Sequence, residues 1–540
     1  MPNSSSPEAL IHDPLKPWKH LLSPPPHKIP ILASNFMKAL FAICIFGAFS
    51  LFLLSWSPAT TTWRAHDCPE CNRAIRGTFR RITNSDLGLV NRDRDRSPDR
   101  TNLSHILFGI GGSAQTWGTR RRYCELWWRP NATRGHVWLD QRPEKEWPAT
   151  SPPYRVSADT ERFKYTNWYG SRSAVRIARI VKESFEAEAA GEGEGAEVRW
   201  FVMGDDDTVF FTENLVEVLN RYDHREMYYI GGNSESVEQN VVHSYAMAYG
   251  GGGFAVSYPL AAELVRILDG CIDRYASFYG SDTKVAACVN EIGVPLTKEL
   301  GFHQMDIRGS PFGLLSAHPI APLISLHHLD YVQPLYPGKN RVESIKRLIQ
   351  AYNMDPGRAL QQSFCYHPTR NWSVSVAWGY NVQLYPFAVT SKDLSTPLQT
   401  FLTWGTWSQS PFTINTRSLS FNPCERPIIH YLDQVNGSGL GTTTTYRRPH
   451  PARARRCKNE SYAKAYSVKA FSVTAAPLDP EVWKKGLRRQ CCEIIDGSDK
   501  VDGVLQVRIR RCNQWESVTP HLKSRYVGGC GRRRFPPRNI

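Results

Sequence analysis

Between Val198 and Phe211 the chain reads V-R-W-F-V-M-G-D-D-D-T-V-F-F. The run Val198 to Met203 is largely apolar and has the length and residue types of a strand buried in an α/β sheet. Gly204 is expected to turn the chain sharply, and Asp205, Asp206 and Asp207 follow at once. Alternate residues of an extended chain stand roughly 6–7 Å apart. Like charges at that distance repel by roughly 2–3 kcal/mol at an effective dielectric of about 20. A hard divalent cation, Mn²⁺ or Mg²⁺, would offset that cost, because such ions take oxygen ligands shared between carboxylates and substrate phosphates. The plain alternative is a solvated acidic turn before a helix that Thr212 caps. Open α/β sheets place their ligands beyond the carboxyl ends of the strands, which favours a site.

The flanking sequence supplies the sheet. His105 to Ile110 reads as a buried strand, Gly111-Gly112-Ser113 as a glycine turn, and the residues through Trp128 as a helix. Such a turn brings backbone close to a ligand, and helix N-termini favour anions. Gly135 to Asp140 reads as a second strand, and Ser171 to Ala190 carries helical spacing. A helix over Thr212 to about Asn220 and a short strand at Tyr228 to Ile230 follow the acidic turn. Strand and helix thus alternate over 105–230, which predicts a mainly parallel sheet. Next come four glycines, Gly250 to Gly253, then Phe254-Ala255. Glycine in a row is costly in regular structure, so this run is expected to pack backbone against a ligand. Ser257 and Pro259 are expected at the N-terminus of a helix running to Leu268. Asp282 stands at the start of another helix, either as a cap or as a group facing the crevice. Ser325-Leu326-His327-His328-Leu329-Asp330 ends this half; one imidazole of the pair could complete a carboxylate metal site.

At 540 residues the chain can hold two domains with appendages. Its net charge of +16 raises nucleic acid as a partner. The basic residues are scattered, however, and no zinc-finger or RNA-binding signature accompanies them, so no nucleic acid is expected. Ala39 to Leu54 is free of charge, and Lys16, Lys19, Lys28 and Lys38 precede it. A span this short suits an early secretory bilayer, with the N-terminus cytosolic by the positive-inside rule. The expected organisation is a disordered tail over 1–35, a type II anchor over 36–56 and a stem over 57–103. Of 13 cysteines, twelve lie outside the span, where an oxidising lumen permits pairing. Cys68 and Cys71 in the stem are expected to pair locally. Five sequons, at Asn102, Asn131, Asn371, Asn436 and Asn459, all follow the anchor and are expected glycosylation sites.

A buried strand ending in three aspartates, a G-G-G-G-F-A run, an acidic residue opening a helix and then H-H-L-D resemble the fringe-like branch of glycosyltransferase family 31. The likeness is nearest to plant fringe-related proteins with a domain of unknown function in the C-terminal half. W-S-V-S-V-A-W-G-Y (372–380) and N-P-C-E-R-P (422–427) carry it into that half. The resemblance implies a GT-A-like (Rossmann-like) mixed α/β sheet flanked by helices over 104–345, and a Golgi-lumenal, UDP-sugar-dependent hexosyltransferase. It implies inverting transfer to a glycan or glycoside hydroxyl in a β1,3 linkage, with Mn²⁺ or Mg²⁺ as cofactor. By position, Asp207 would be the direct metal ligand and Asp205 its companion carboxylate. Asp205 or Asp206 would reach the ribose or the sugar, and His328 would be the late metal-binding histidine. Asp282 would be the general base, with Ser281 where fringe enzymes have a first aspartate. Gly111, Gly112, Gly252, Gly253 and Phe254 would line the donor site. Residues 346–540 read as a β-rich extension closed by disulfides.

Two other classes fit parts of the pattern. A non-catalytic lectin-like glycan-binding protein on the same fold would keep the crevice without needing metal and base together. A phosphoryl-transfer or hydrolytic enzyme would use the carboxylates for metals, but no Walker loop or second carboxylate cluster accompanies them.

Overall fold

The structure is a computed structural model that describes residues 100–191, 197–367, 369–438, 441–449, 457, 459–495, 503–514 and 516–519, all within the unit Arg100–Ile540. The expected tail, anchor and stem, with Cys68 and Cys71, lie outside the described residues. Among the described residues, no helix is long and apolar enough to cross a membrane.

The N-terminal half is built on strands β1 (Ile106–Gly111), β2 (Arg134–Leu139), β3 (Tyr154–Val156), β4 (Trp200–Asp205), β5 (Val209–Phe210), β6 (Tyr229–Gly231), β7 (Phe254–Ser257) and β8 (Leu296–Lys298). Seven of them form one mixed sheet in the order β3-β2-β1-β4-β7-β6-β8. β1 to β4 run parallel, and β7 runs antiparallel to both β4 and β6. β1 is buried throughout and β4 along all but its last residue, as their near-continuous apolar sequences require. Their register sets Gly111 opposite Asp205, so the glycine turn and the acidic turn leave the sheet side by side. Because β7 is antiparallel, it starts where β4 ends: Met203 faces Phe254. The glycine run before Phe254 is thereby delivered to the three aspartates.

Three local expectations change. Gly204 continues β4, and the turn falls at Asp206 and Asp207. A Cβ at Gly204 would lie 2.9 Å from the Phe210 ring, so close packing explains this glycine. Thr212 opens its helix, Thr212–Leu219, rather than capping it; Phe211 holds the cap position without a side-chain bond. The segment after Ser171 forms two helices, Ser173–Ala178 and Ile180–Ala189, and the helix after Ser257 runs on from Tyr258 to Arg274.

Short strands then bring the second half back to the site. β9 (Phe302–His303), β10 (Ile307–Gly309) and β11 (Ser325–Leu326) follow β8. β11 pairs antiparallel with β5, Leu326 opposite Val209, and parallel with β9. The residue after β11, His327, therefore arrives next to the residues before β5, which end the acidic turn.

The C-terminal half is a closed barrel. β12 (Gln362–Tyr366), β13 (Ser373–Ala377), β14 (Asn381–Tyr385), β16 (Ile428–Ser438), β17 (Gly441–Arg447), β18 (Ala470–Ala475), β19 (Cys491–Ile494) and β20 (Val504–Arg510) close in the order β12-β13-β14-β16-β17-β18-β20-β19. Closure removes free sheet edges. β15 (Phe401–Thr403) leaves the barrel to pair with β10. Disulfides Cys365–Cys492, Cys424–Cys457 and Cys491–Cys512 tie this half, as expected of a disulfide-closed β-rich extension. Tyr446 and Phe471 of the barrel and Trp378 next to β13 share one hydrophobic core with Phe108 and Val202 of the sheet and Leu215 of the helix Thr212–Leu219.

Candidate active site

Four segments meet at the carboxyl edge of β1 and β4. The acidic turn supplies Asp205 and Asp207, and their ligand atoms with one nitrogen of His327 all lie within 4.8 Å of one another. His327 Nε2 is 3.1 Å from Asp207 Oδ1 and 3.7 Å from Asp205 Oδ2. Burial opposes a charge on His327, yet Asp207 and Asp205 push its pKa up to about 9. Burial likewise opposes ionisation of Asp207, but His327 and Arg120 hold it far below the usual carboxylate range. Burial and the neighbouring Asp207, Asp282 and Asp206 raise Asp205.

Of the histidine pair, the one gathered with the carboxylates is His327, not the expected His328. His328 turns away at φ +50°, and its Nδ1 lies 2.9 Å from Asp306 Oδ1. Asp306 also accepts a hydrogen bond from Ser234. The β5–β11 register, invisible in a lone H-H, gives the carboxylates to His327.

The residues fit a hard cation. Asp207 Oδ2 and His327 Nδ1 are buried without a hydrogen-bond partner, and the donor set is two carboxylates and an imidazole. An unpartnered buried carboxylate oxygen is costly, and a cation there would satisfy it.

The glycine run owes its composition to this cluster. A Cβ on Gly251 would fall 2.1 Å from His327 Cε1, and one on Gly250 would fall 2.6 Å from Asp282 Oδ1. Gly252 donates its N–H to Gln304 Oε1 at 2.6 Å, and its carbonyl accepts from the Ser325 hydroxyl. These contacts hold the loop against β9 and β11, so Gly252 is engaged by protein. Phe254 packs edge-on to Tyr229 at 5.6 Å and lines a narrow cavity.

Asp205, Asp282, Ser281 and Gly250 line that same cavity. Asp282 lies in the first turn of the helix Ser281–Ile292, whose N-cap is Gly280, with the Gly280 N–H donating to Thr283 Oγ1 at 3.2 Å. The Asp282 carboxylate is engaged elsewhere. It accepts from the Ser281 hydroxyl at 3.0 Å and from the Gly250 N–H, while burial raises its pKa. Cys271–Cys288 fastens this helix to its neighbour, Tyr258–Arg274.

A Cβ added at Gly111 would lie 3.4 Å from Asp205 Oδ1, and one at Gly112 3.5 Å from Asp206 Oδ2. Asp206 accepts from Arg120 Nη1 at 3.0 Å and is nearly buried, so Arg120 rather than solvent neutralises it. Arg120 also lies 3.2 Å from Asp207 Oδ1. The first N–H of the helix Ala114–Cys124 is bound by Asp140 at 2.8 Å, so the anion at that N-terminus is the chain's own carboxylate. Arg120, Gln304 and Asp306 had no sequence signal; each lies far along the chain from the motif it supports. The five sequon asparagines are all exposed.

Two family models match the chain. One, described as Fringe-like, covers residues 156–311, and the other, a protein of unknown function, DUF604, covers 239–492. The first contains the acidic turn, the glycine run and Asp282; the second runs from the glycine run through most of the barrel. The chain is thus similar to fringe-like glycosyltransferases over 156–311 and matches the DUF604 family over 239–492. A comparison with curated proteins returns no significant match.

Proposed function

We propose that this chain transfers a sugar from a UDP-sugar to a hydroxyl of a glycan or glycoside, with inversion and in a β1,3 linkage. The observation that carries the reading is that two different carboxylate environments meet at one cavity. Asp205 gathers with Asp207 and His327, and it lines the same narrow cavity as Asp282, which is held by Ser281 and Gly250. Asp207, Asp205 and His327 would hold Mn²⁺ or Mg²⁺, which when bound neutralises the charge that grows on a departing diphosphate. Arg120, beside Asp206 and Asp207, adds a fixed positive charge on the same side. Asp282 takes the proton from the acceptor hydroxyl as it attacks. Its raised pKa makes it a stronger base than a solvated carboxylate. Ser281 and the Gly250 N–H orient it.

The lectin-like alternative requires neither the buried Asp282 nor the orphaned Asp207 oxygen, and is the weaker reading. We also propose a Golgi location with a single type II span over 36–56 and glycans on the exposed sequons. UDP release from a panel of UDP-sugars, with Mn²⁺ and with EDTA, tests the reaction. Release with one donor, lost in EDTA, is expected; tight binding of glycans without release from any donor would favour the lectin. Protease protection in microsomes tests the topology, and an exposed C-terminus would contradict it.

A further inference from the structure

Beyond the metal and base, a column of flat groups rises from the site into solvent. His328, held by Asp306, stacks on Trp404 with ring centres 4.4 Å apart and planes 7° apart. The Arg308 guanidinium lies 3.9 Å from the centre of the Trp404 ring, too close to share the face His328 covers. The same guanidinium is 4.8 Å from Tyr331 and 5.2 Å from Trp407. Trp407 is 61% exposed and Tyr331 42% exposed, so the column ends in two open aromatic rings.

This arrangement is built rather than incidental. β15 pairs with β10, setting Leu402 opposite Arg308, and so fixes the turn that carries both tryptophans. Glu238 accepts from the Gly405 N–H at 2.9 Å and from the Thr406 hydroxyl, anchoring the tip of that turn. Trp407 sits at φ +54°, a conformation rare for a bulky residue and found where surrounding structure imposes it. Both rings flank one guanidinium and stand open to solvent. The column joins the site directly, since the His328 ring lies 3.9 Å from that of His327.

We propose that Trp407 and Tyr331, with Arg308 between them, form the platform on which the acceptor sugar lies, so that the DUF604 region supplies acceptor recognition to the fringe-like half. A pyranose offers what this surface takes: an apolar C–H face for the rings and a rim of hydroxyls for a guanidinium. The proposal rests on the transferase reading above, because it places the sugar beside the metal cluster and Asp282.

The test uses the full chain on a printed array of neutral and acidic oligosaccharides, alongside calorimetric titration with UDP and Mn²⁺. Wild type should retain at least one oligosaccharide. Trp407→Ala and Tyr331→Ala should lower that signal tenfold or more and raise the acceptor KM with kcat nearly constant, while UDP affinity stays within twofold. Trp407→Phe should restore most of the signal. Equal array signal in wild type and both alanine variants would overturn the platform, as would UDP binding with no oligosaccharide retained by wild type. Array binding lost in Trp407→Ala, in a chain that does not bind UDP with Mn²⁺, would keep the platform and overturn the transferase reading instead. Retention only of non-glycosylated protein partners would refute the sugar.

Discussion

Replacing Gly251 by alanine adds one methyl group and should remove a metal ligand. The new Cβ would lie 2.1 Å from His327 Cε1, 2.4 Å from Nδ1 and 2.5 Å from Nε2. Ordinary contact begins at 3.4 Å, so the imidazole must retreat by about 1.3 Å. The ring is buried, with β11 fixing its backbone, and it cannot move that far and still face Asp207 Oδ1. Overpacking of this kind costs about 1–3 kcal/mol of stability. Displacing the support of a metal ligand typically weakens the metal by about 10–100-fold, and here the ligand itself moves. The assay is calorimetric titration of UDP with Mn²⁺, with a thermal melt to record stability. Gly118→Ala is the control: nothing lies within 4 Å of its added Cβ, and its exposed helical position gains about 1 kcal/mol. Gly251→Ala with wild-type UDP affinity and an unchanged melt would refute the assignment of the glycine run to His327.

The histidine pair gives a second contrast: His327→Ala should abolish Mn²⁺-dependent UDP binding, whereas His328→Ala should weaken it only modestly by loosening the stack on Trp404. The reverse order in the same titration would return the ligand role to His328. Cys271→Ser with Cys288→Ser opens a cross-link 17 residues apart, which should cost about 3 kcal/mol, read as a lower urea midpoint on the same baseline. An unchanged midpoint would show that these helices hold Asp282 without the bond.

The strand Trp200–Asp205, the acidic turn, the glycine run and the helix of Asp282 were legible because each is a local pattern with one physical reading. An apolar run that stops at three carboxylates has few alternatives, and four glycines between apolar flanks imply close approach of something. The partner of that approach was not legible: the glycines make room for His327 and Asp282, the protein's own groups, as well as for a ligand. Gly204 misled because a glycine before a turn and a glycine under an aromatic ring look alike in sequence. His327 and His328 are adjacent, and only the pairing of Leu326 with Val209 decides between them. Trp404 and Arg308 lie about a hundred residues apart and meet through a two-strand ladder with no periodic signal. The barrel was legible as β-rich and disulfide-bonded. Its closure was not, since pairing β18 with β20 leaves no trace in spacing.

The central claim is that Asp282 is the base of a transfer reaction. Asp282→Asn keeps the shape and can still accept from Ser281 and the Gly250 N–H, but cannot take a proton. The N-cap of its helix is Gly280, whose backbone is bonded by Thr283 Oγ1, so stability should hold. The measurement is sugar transfer from the UDP-sugar to acceptor, with UDP affinity in the presence of Mn²⁺ recorded on the same preparations. Transfer should fall by about 10²–10⁴-fold with UDP affinity near wild type. Equal turnover in the two proteins would contradict the account and leave the site without its base.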